Sequence, residues 1–205
     1  MFTGIVTAIG TIAQTTRAGD LSARITCPYD PAGIAIGASI SCSGVCLTVV
    51  DKGGVAGDAW FLVSISGETL ARTVPGRWVE GASLNLETAL KLGDELGGHI
   101  VTGHVDGVGE VVDISPVGDS LRFGIAAPRE LAPYIAAKGS ITVDGVSLTV
   151  NEIADRDDGT CLFALNIIPH TAAVTTIGAL AAGDKVNLEI DVLARYLMRM
   201  QALKG

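Results

Sequence analysis

The clearest pattern along the chain is an alternation of apolar and polar residues with a period of two. Phe61, Val63 and Ile65 alternate with Leu62, Ser64 and Ser66, and Phe163, Leu165 and Ile167 repeat the pattern further on. Such alternation predicts strands with one face in a core. Val45, Leu47 and Val49 fall on one face with Cys46 and Thr48 on the other. Val146, Leu148 and Val150 oppose Ser147 and Thr149 in the same way. Turn signals separate the strands at Asp51-Lys52-Gly53-Gly54, Gly57-Asp58, Asp157-Asp158-Gly159 and Ala182-Gly183-Asp184. Many short strands with Gly-rich turns predict a small closed barrel, because closure removes exposed edges. The period changes twice. Pro128 to Lys138 predicts a short helix, limited by Pro133. After Asp191, a suitable N-cap, residues Val192, Leu193, Tyr196, Leu197, Met200 and Leu203 form an apolar stripe at helical spacing. A terminal helix of that kind predicts self-association, the other use being to fold back on its own barrel.

The chain also repeats itself. Gly37 to Val49 and Lys138 to Val150 match at seven of thirteen positions with an offset of 101. Phe61, Thr69, Thr73, Gly76, Gly81, Asn85, Leu86 and Glu87 recur 102 residues later, and Thr3-Gly4 recurs as Thr102-Gly103. A period this long is a tandem domain duplication rather than a solenoid. The copies differ where chemistry matters: Ile5 becomes His104, Cys46 becomes Ser147, Ser64 becomes Asn166 and Glu68 becomes His170. Holding the scaffold while exchanging reactive side chains predicts two related pockets with different duties.

Composition narrows the classes. Of 205 residues 48% are hydrophobic and only 4% aromatic, with 26 glycines, which suits strands and tight turns and excludes disorder. The net charge of −8 repels phosphate backbones, so nucleic acid is not an expected partner. No run approaches the ~18 apolar residues of a membrane span, and Met1 to Gly10 lacks the basic region of a signal peptide. Cys27, Cys42, Cys46 and Cys161 form no CxxC pair and are expected to be free thiols in the cytoplasm.

His99, His104 and His170 lack metal-ligand spacing, so no metal site is expected. His104 is a candidate general acid or base, and equally a histidine with a structural place. No GxGxxG, Walker A or GxSxG motif occurs, which leaves nucleotide-driven and serine-hydrolase chemistry without support.

Longer motifs carry a resemblance. Met1-Phe2-Thr3-Gly4-Ile5-Val6, Gly44 to Val49, Leu92 to His99 running on to Gly103-His104-Val105-Asp106-Gly107, Asp144 to Val150, Ile168-Pro169-His170-Thr171, and Val186 to Glu189 with Asp191 occur in order over the full chain. The sequence resembles the alpha-chain type of riboflavin synthase. It departs from the family at Ser43, where Asn is frequent, and at Thr88, where Arg is common.

The resemblance implies an all-β chain of two tandem six-stranded antiparallel Greek-key barrels, spanning 1–97 and 98–190, with an oligomerisation helix over 191–205. It implies an enzyme that dismutates two molecules of 6,7-dimethyl-8-ribityllumazine into riboflavin and 5-amino-6-ribitylaminouracil by four-carbon transfer. No cofactor is implied. A homotrimer is implied, each site lying between the N-terminal barrel of one subunit and the C-terminal barrel of the next; association with lumazine synthase is a further possible partnership. The first pocket is expected at Gly4, Ile5 and Val6, at Cys46, Leu47 and Thr48, and at Ser64, Ile65, Ser66, Gly67, Glu68 and Thr69. The second is expected at Gly103, His104 and Val105, at Ser147, Leu148 and Thr149, and at Asn166, Ile167, Ile168, Pro169, His170 and Thr171, with Lys138 reaching across the subunit boundary. His104 with Ser147 and Thr149 is expected to handle the proton on one lumazine. Cys46, with Ser39 nearby, is expected to assist attack at C7 of the other, and Asp191 is expected either to contribute or simply to cap its helix. The alternative on the same scaffold is a non-catalytic lumazine- or flavin-binding protein.

Overall fold

A computed structural model describes residues 1–203 as two closed six-stranded barrels followed by a helix. The first barrel contains β1 (Ala8–Ala18), β2 (Asp20–Cys27), β3 (Ser39–Cys42), β4 (Val45–Val55), β5 (Asp58–Ile65) and β6 (Ser83–Thr88). A single-turn helix, α1 (Gly67–Arg72), sits between β5 and β6. The second barrel contains β7 (Gly107–Val117), β8 (Ser120–Ala127), β9 (Ser140–Val143), β10 (Val146–Asp155), β11 (Cys161–Ile167) and β12 (Lys185–Ile190), with α2 (Pro169–Val174) in the place of α1. The terminal helix is α3 (Val192–Ala202).

In the first barrel the order around the sheet is β1-β2-β5-β4-β3-β6, and every pairing is antiparallel. The run β2-β5-β4-β3 is a Greek key. The second barrel has the same order and carries bulges at the matching places, Val49/Asp51 in β4 and Val150/Glu152 in β10. Alternation along each strand sends one set of side chains inward. Phe61, Val63 and Ile65 lie fully buried with Ile12, Ile25, Leu84 and Leu86, while Phe163, Leu165 and Ile167 lie with Val111, Ile125 and Leu188.

Two local expectations need correction. Pro128 to Lys138 contains only a three-residue 3-10 turn, Ala132–Tyr134, because Pro133 has no N–H to extend a helix. Asp51 to Gly54 is not a turn but part of β4, and the chain reverses at Ala56-Gly57 instead.

The barrels are joined by a reciprocal lock. Asn85 Nδ2 donates to the Asp144 carbonyl and Asn187 Nδ2 donates to the Ser43 carbonyl, each at 2.9 Å. Asn85 Oδ1 accepts the Thr176 amide and Asn187 Oδ1 accepts the Val74 amide, each at 2.8 Å. The two hairpin tips meet backbone to backbone: a Cβ on Gly44 would lie 2.9 Å from the Gly145 nitrogen, and both glycines have positive φ. Arg77 adds an ion pair to the fully buried Asp144 at 3.0 Å, where the other hairpin has Ser43.

Candidate active site

Cross-strand register builds two polar faces. In the first barrel Ser41 stands between Cys46 and Glu87, and Ser39 is opposite Thr48. In the second, Thr142 stands between Ser147 and Glu189, and Ser140 is opposite Thr149. Cys46 and Ser147 are half-buried, Thr48 and Thr149 exposed. Ser39 is thus a diagonal neighbour of Cys46 on one face.

Each glutamate then clamps the start of its own half. Glu87 accepts the Thr3 amide at 2.7 Å, the Thr3 hydroxyl at 2.8 Å and the Gly4 amide at 2.9 Å. Glu189 accepts the amides of Thr102, Gly103 and His104 at 2.7, 2.9 and 3.1 Å and the Thr102 hydroxyl at 2.6 Å. Burial pushes both carboxyls up from the usual carboxylate range, against the pull of these donors.

The clamped segments cross to the opposite barrel. The Gly103 carbonyl accepts the Cys46 amide at 2.8 Å, and the Gly4 carbonyl accepts the Ser147 amide at 2.8 Å. Val105 packs against the first core and Val6 against the second. The expected grouping of pocket residues is therefore corrected: Gly103, His104 and Val105 belong with Cys46, whereas Gly4, Ile5 and Val6 belong with Ser147. The sequence could not show this exchange, because a segment and its own barrel are adjacent along the chain while the crossing is made in space.

The first crossing forms a cleft of about 400 Å³ walled by Cys46, Glu68, Thr69, Arg72, His104 and Val105. Ser66, in extended backbone, caps α1 by accepting the Thr69 amide, which sets Glu68 and Thr69 at the cleft wall. Arg72 pairs with Glu68 across one helical turn at 2.8 Å. In the repeat, Pro169 opens α2 and His170 and Thr171 take the corresponding places. Ser64 and Asn166 are exposed near the ends of β5 and β11, as are Ser66, Gly67, Ile168 and Pro169. Leu47, Ile65 and Ile167 point into the cores, so only their backbone groups are available to a ligand. Leu148 is half-buried against the second core.

His104 is exposed in the cleft with Cys46, away from the expected grouping with Ser147 and Thr149. It is His99 that reaches Ser147: its Nδ1 lies 2.7 Å from Ser147 Oγ, and its Nε2 lies 3.2 Å from Thr142 Oγ1. Burial holds the His99 ring below the ordinary histidine range, with Asp191 pulling it back up. Asp191 caps α3 by accepting the Leu193 amide at 2.8 Å. Lys138 is exposed in left-handed backbone, φ 65°, at the place where the first half has Gly37.

Cys27, Cys42 and Cys161 are buried, which leaves Cys46 as the accessible thiol among the described residues. No cluster of three or more His, Cys, Asp or Glu among them is arranged to hold a metal.

Two barrels of one topology, each completed by the other's first residues, define a tandem lumazine-binding protein, and the family described as lumazine binding domain matches twice, at residues 3–89 and 102–191. The chain is 50% identical over 204 residues to riboflavin synthase of Brucella abortus (strain 2308), covering 98% of both chains. It is 43% identical over 208 residues to riboflavin synthase of Mycobacterium tuberculosis (strain ATCC 25618 / H37Rv), covering all of both. Among solved structures, LumP complexed with riboflavin superposes with a TM-score of 0.78 at 26% identity, covering 93% of this chain and 99% of that one. The complex of LumP with 6,7-dimethyl-8-(1'-D-ribityl) lumazine gives 0.74 at 27% identity with the same coverage. The chain belongs to the riboflavin synthase family, transferases of riboflavin biosynthesis.

Proposed function

We propose that this chain dismutates two molecules of 6,7-dimethyl-8-ribityllumazine, one bound at each crossed cleft, into riboflavin and 5-amino-6-ribitylaminouracil. The observation that carries the reading is the non-equivalence of the two crossings: Cys46 lines a cleft with His104, and Ser147 stands with His99. The reaction treats identical molecules unequally, one giving and one receiving four carbons, so two unlike sites suit it and two like sites would not.

The chemistry needs orientation and proton movement. The C7 methyl of the lumazine is acidic because its anion delocalises into the ring. Holding two heterocycles face to face supplies up to ~7–11 kcal/mol of the barrier, and general acid and base groups add roughly 10²–10⁴-fold. In this reading strand backbones and hydroxyls of both clefts bind the pyrimidine edge and the ribityl chain, Cys46 assists attack at C7 of one lumazine with Ser39 beside it, and no cofactor or metal takes part.

The two lumazine-binding units divide near residues 97 and 98. A trimer brings the first cleft of one subunit to the second cleft of its neighbour, with Lys138 reaching across. The exposed stripe of Leu193, Tyr196, Leu197 and Met200 on α3 supports that assembly, since the helix is tied to its own barrel on its other side by Arg195 and Asp106 at 2.7 Å. The protein works in the cytoplasm, where association with lumazine synthase would shorten the path of the substrate.

The test is to incubate the purified full chain with 6,7-dimethyl-8-ribityllumazine alone. One riboflavin should form for every two lumazines consumed. Tight binding without riboflavin would instead make the chain a carrier on the same scaffold.

A further inference from the structure

The second polar face carries the one buried imidazole among the described residues. His99 lies in the connection between the halves, after β6 and before β7. Opposite Cys46 stands Ser41, the counterpart of Thr142, and the histidine near that thiol, His104, is exposed.

The ring is fixed from both halves. The His99 amide donates to the Thr3 carbonyl at 3.1 Å, Thr3 being held by Glu87, while Nε2 lies 3.2 Å from Thr142 Oγ1 on β9. Gly98 makes the approach possible: a Cβ there would lie 2.1 Å from the Thr3 carbonyl oxygen and 2.8 Å from Ser147 Oγ. With 9% of its surface exposed, His99 cannot itself meet a ligand lying in the cleft, whereas the half-buried Ser147 beside it can.

We propose that His99 is the positioning residue of the second cleft, its ring donating from Nε2 to Thr142 Oγ1 and accepting the Ser147 hydroxyl hydrogen at Nδ1. Ser147 Oγ then turns its lone pairs to the ligand and relays a proton. This step rests on the dismutation reading. The C–H bond of the lumazine C7 methyl breaks and its electron pair stays on the lumazine as the delocalised anion. The proton goes to Ser147 Oγ while the original hydroxyl proton passes to His99 Nδ1, leaving an imidazolium. The reverse transfer later returns the proton. Burial keeps the resting ring neutral and able to accept, and the Asp191 carboxylate favours the imidazolium once it forms.

The experiment measures kcat and the affinity for riboflavin in the full chain and in His99→Asn, whose amide oxygen can still accept the Ser147 hydroxyl but cannot take up a proton. kcat should fall about 10²-fold or more, with riboflavin affinity within about threefold and no further fall when Ser147→Ala is added. Turnover of His99→Asn at the parent rate, or loss of affinity in step with kcat, overturns the proposal. A second measurement needs no variant: imidazole ¹⁵N shifts of the parent should show Nδ1 bare and Nε2 protonated, and the opposite tautomer overturns it. If the parent itself makes no riboflavin, the dismutation reading fails, which is a different result from an active parent with an equally active variant.

Discussion

The Gly103 carbonyl of the second half accepts the Cys46 amide of the first at 2.8 Å, and the repeat of this bond joins Gly4 to Ser147. Neither barrel therefore finishes its own cleft. The backbone comes so close that a side chain has no room: a Cβ on Gly103 would lie 2.7 Å from Cys46 Cβ, and one on Gly4 2.6 Å from Ser147 Cβ. Both residues also have positive φ, 77° and 75°.

Gly103→Ala and Gly4→Ala should each lower stability by at least ~1–2 kcal/mol from the backbone conformation alone, with the overlap adding to it. Thermal unfolding measures this. Ligand titration should show Gly103→Ala weakening the site that contains Cys46 and Gly4→Ala weakening the other.

The lock between the barrels makes a second prediction. Asp144→Asn keeps the acceptor for the Asn187 amide at 2.8 Å but leaves Arg77, 12% exposed, without its counter-ion. Breaking a buried pair from one side costs about 3–5 kcal/mol. The double variant Arg77→Met with Asp144→Asn should recover part of that loss in denaturant unfolding.

Much of this architecture was legible in the sequence. Phe61 and Phe163, with their alternating neighbours, gave strands whose inward faces are the two cores, and Asp191 with the stripe after it gave a capped helix. The six-residue helices α1 and α2 were missed, being too short to set a period, although Ser66 as a cap and Pro169 at a first helical turn are their signals. The exchange of Gly4 and Gly103 left no local pattern, since it depends on contacts between residues far apart in the chain, Gly103 with Cys46 and Gly4 with Ser147. His104 stands out in the sequence because it replaces Ile5 of the first half, whereas the spacing of His99 sets it apart in no way. The run Gly97-Gly98-His99 was the available signal, as paired glycines permit the close backbone approach found there.

His99 should also leave a mark on stability. Its ring takes up a proton less readily in the folded chain than in the unfolded one, where histidine titrates near 6.5. As pH falls through that value the unfolded chain binds a proton that the folded chain refuses, so stability is lost. Glu87 and Glu189, shifted upward, act with the opposite sign at lower pH. Between about pH 7 and pH 5 the melting temperature of the parent should therefore fall more than that of His99→Asn. Parallel curves would contradict a buried neutral ring.

The helix surface tests the assembly. Leu197 and Met200 are 60% and 57% exposed, so Leu197→Asp with Met200→Asp should leave each barrel folded. If the proposed trimer forms, sedimentation should find trimers for the parent and monomers for the double variant, and riboflavin formation should fall with the trimer.

On the proposed reading one chain offers two binding sites, each built from both halves and chemically unlike the other. Equilibrium titration with a lumazine analogue unable to react counts these sites and measures their affinities. Two sites per chain with separable affinities are predicted; a single site per chain, or two that cannot be told apart, would contradict it.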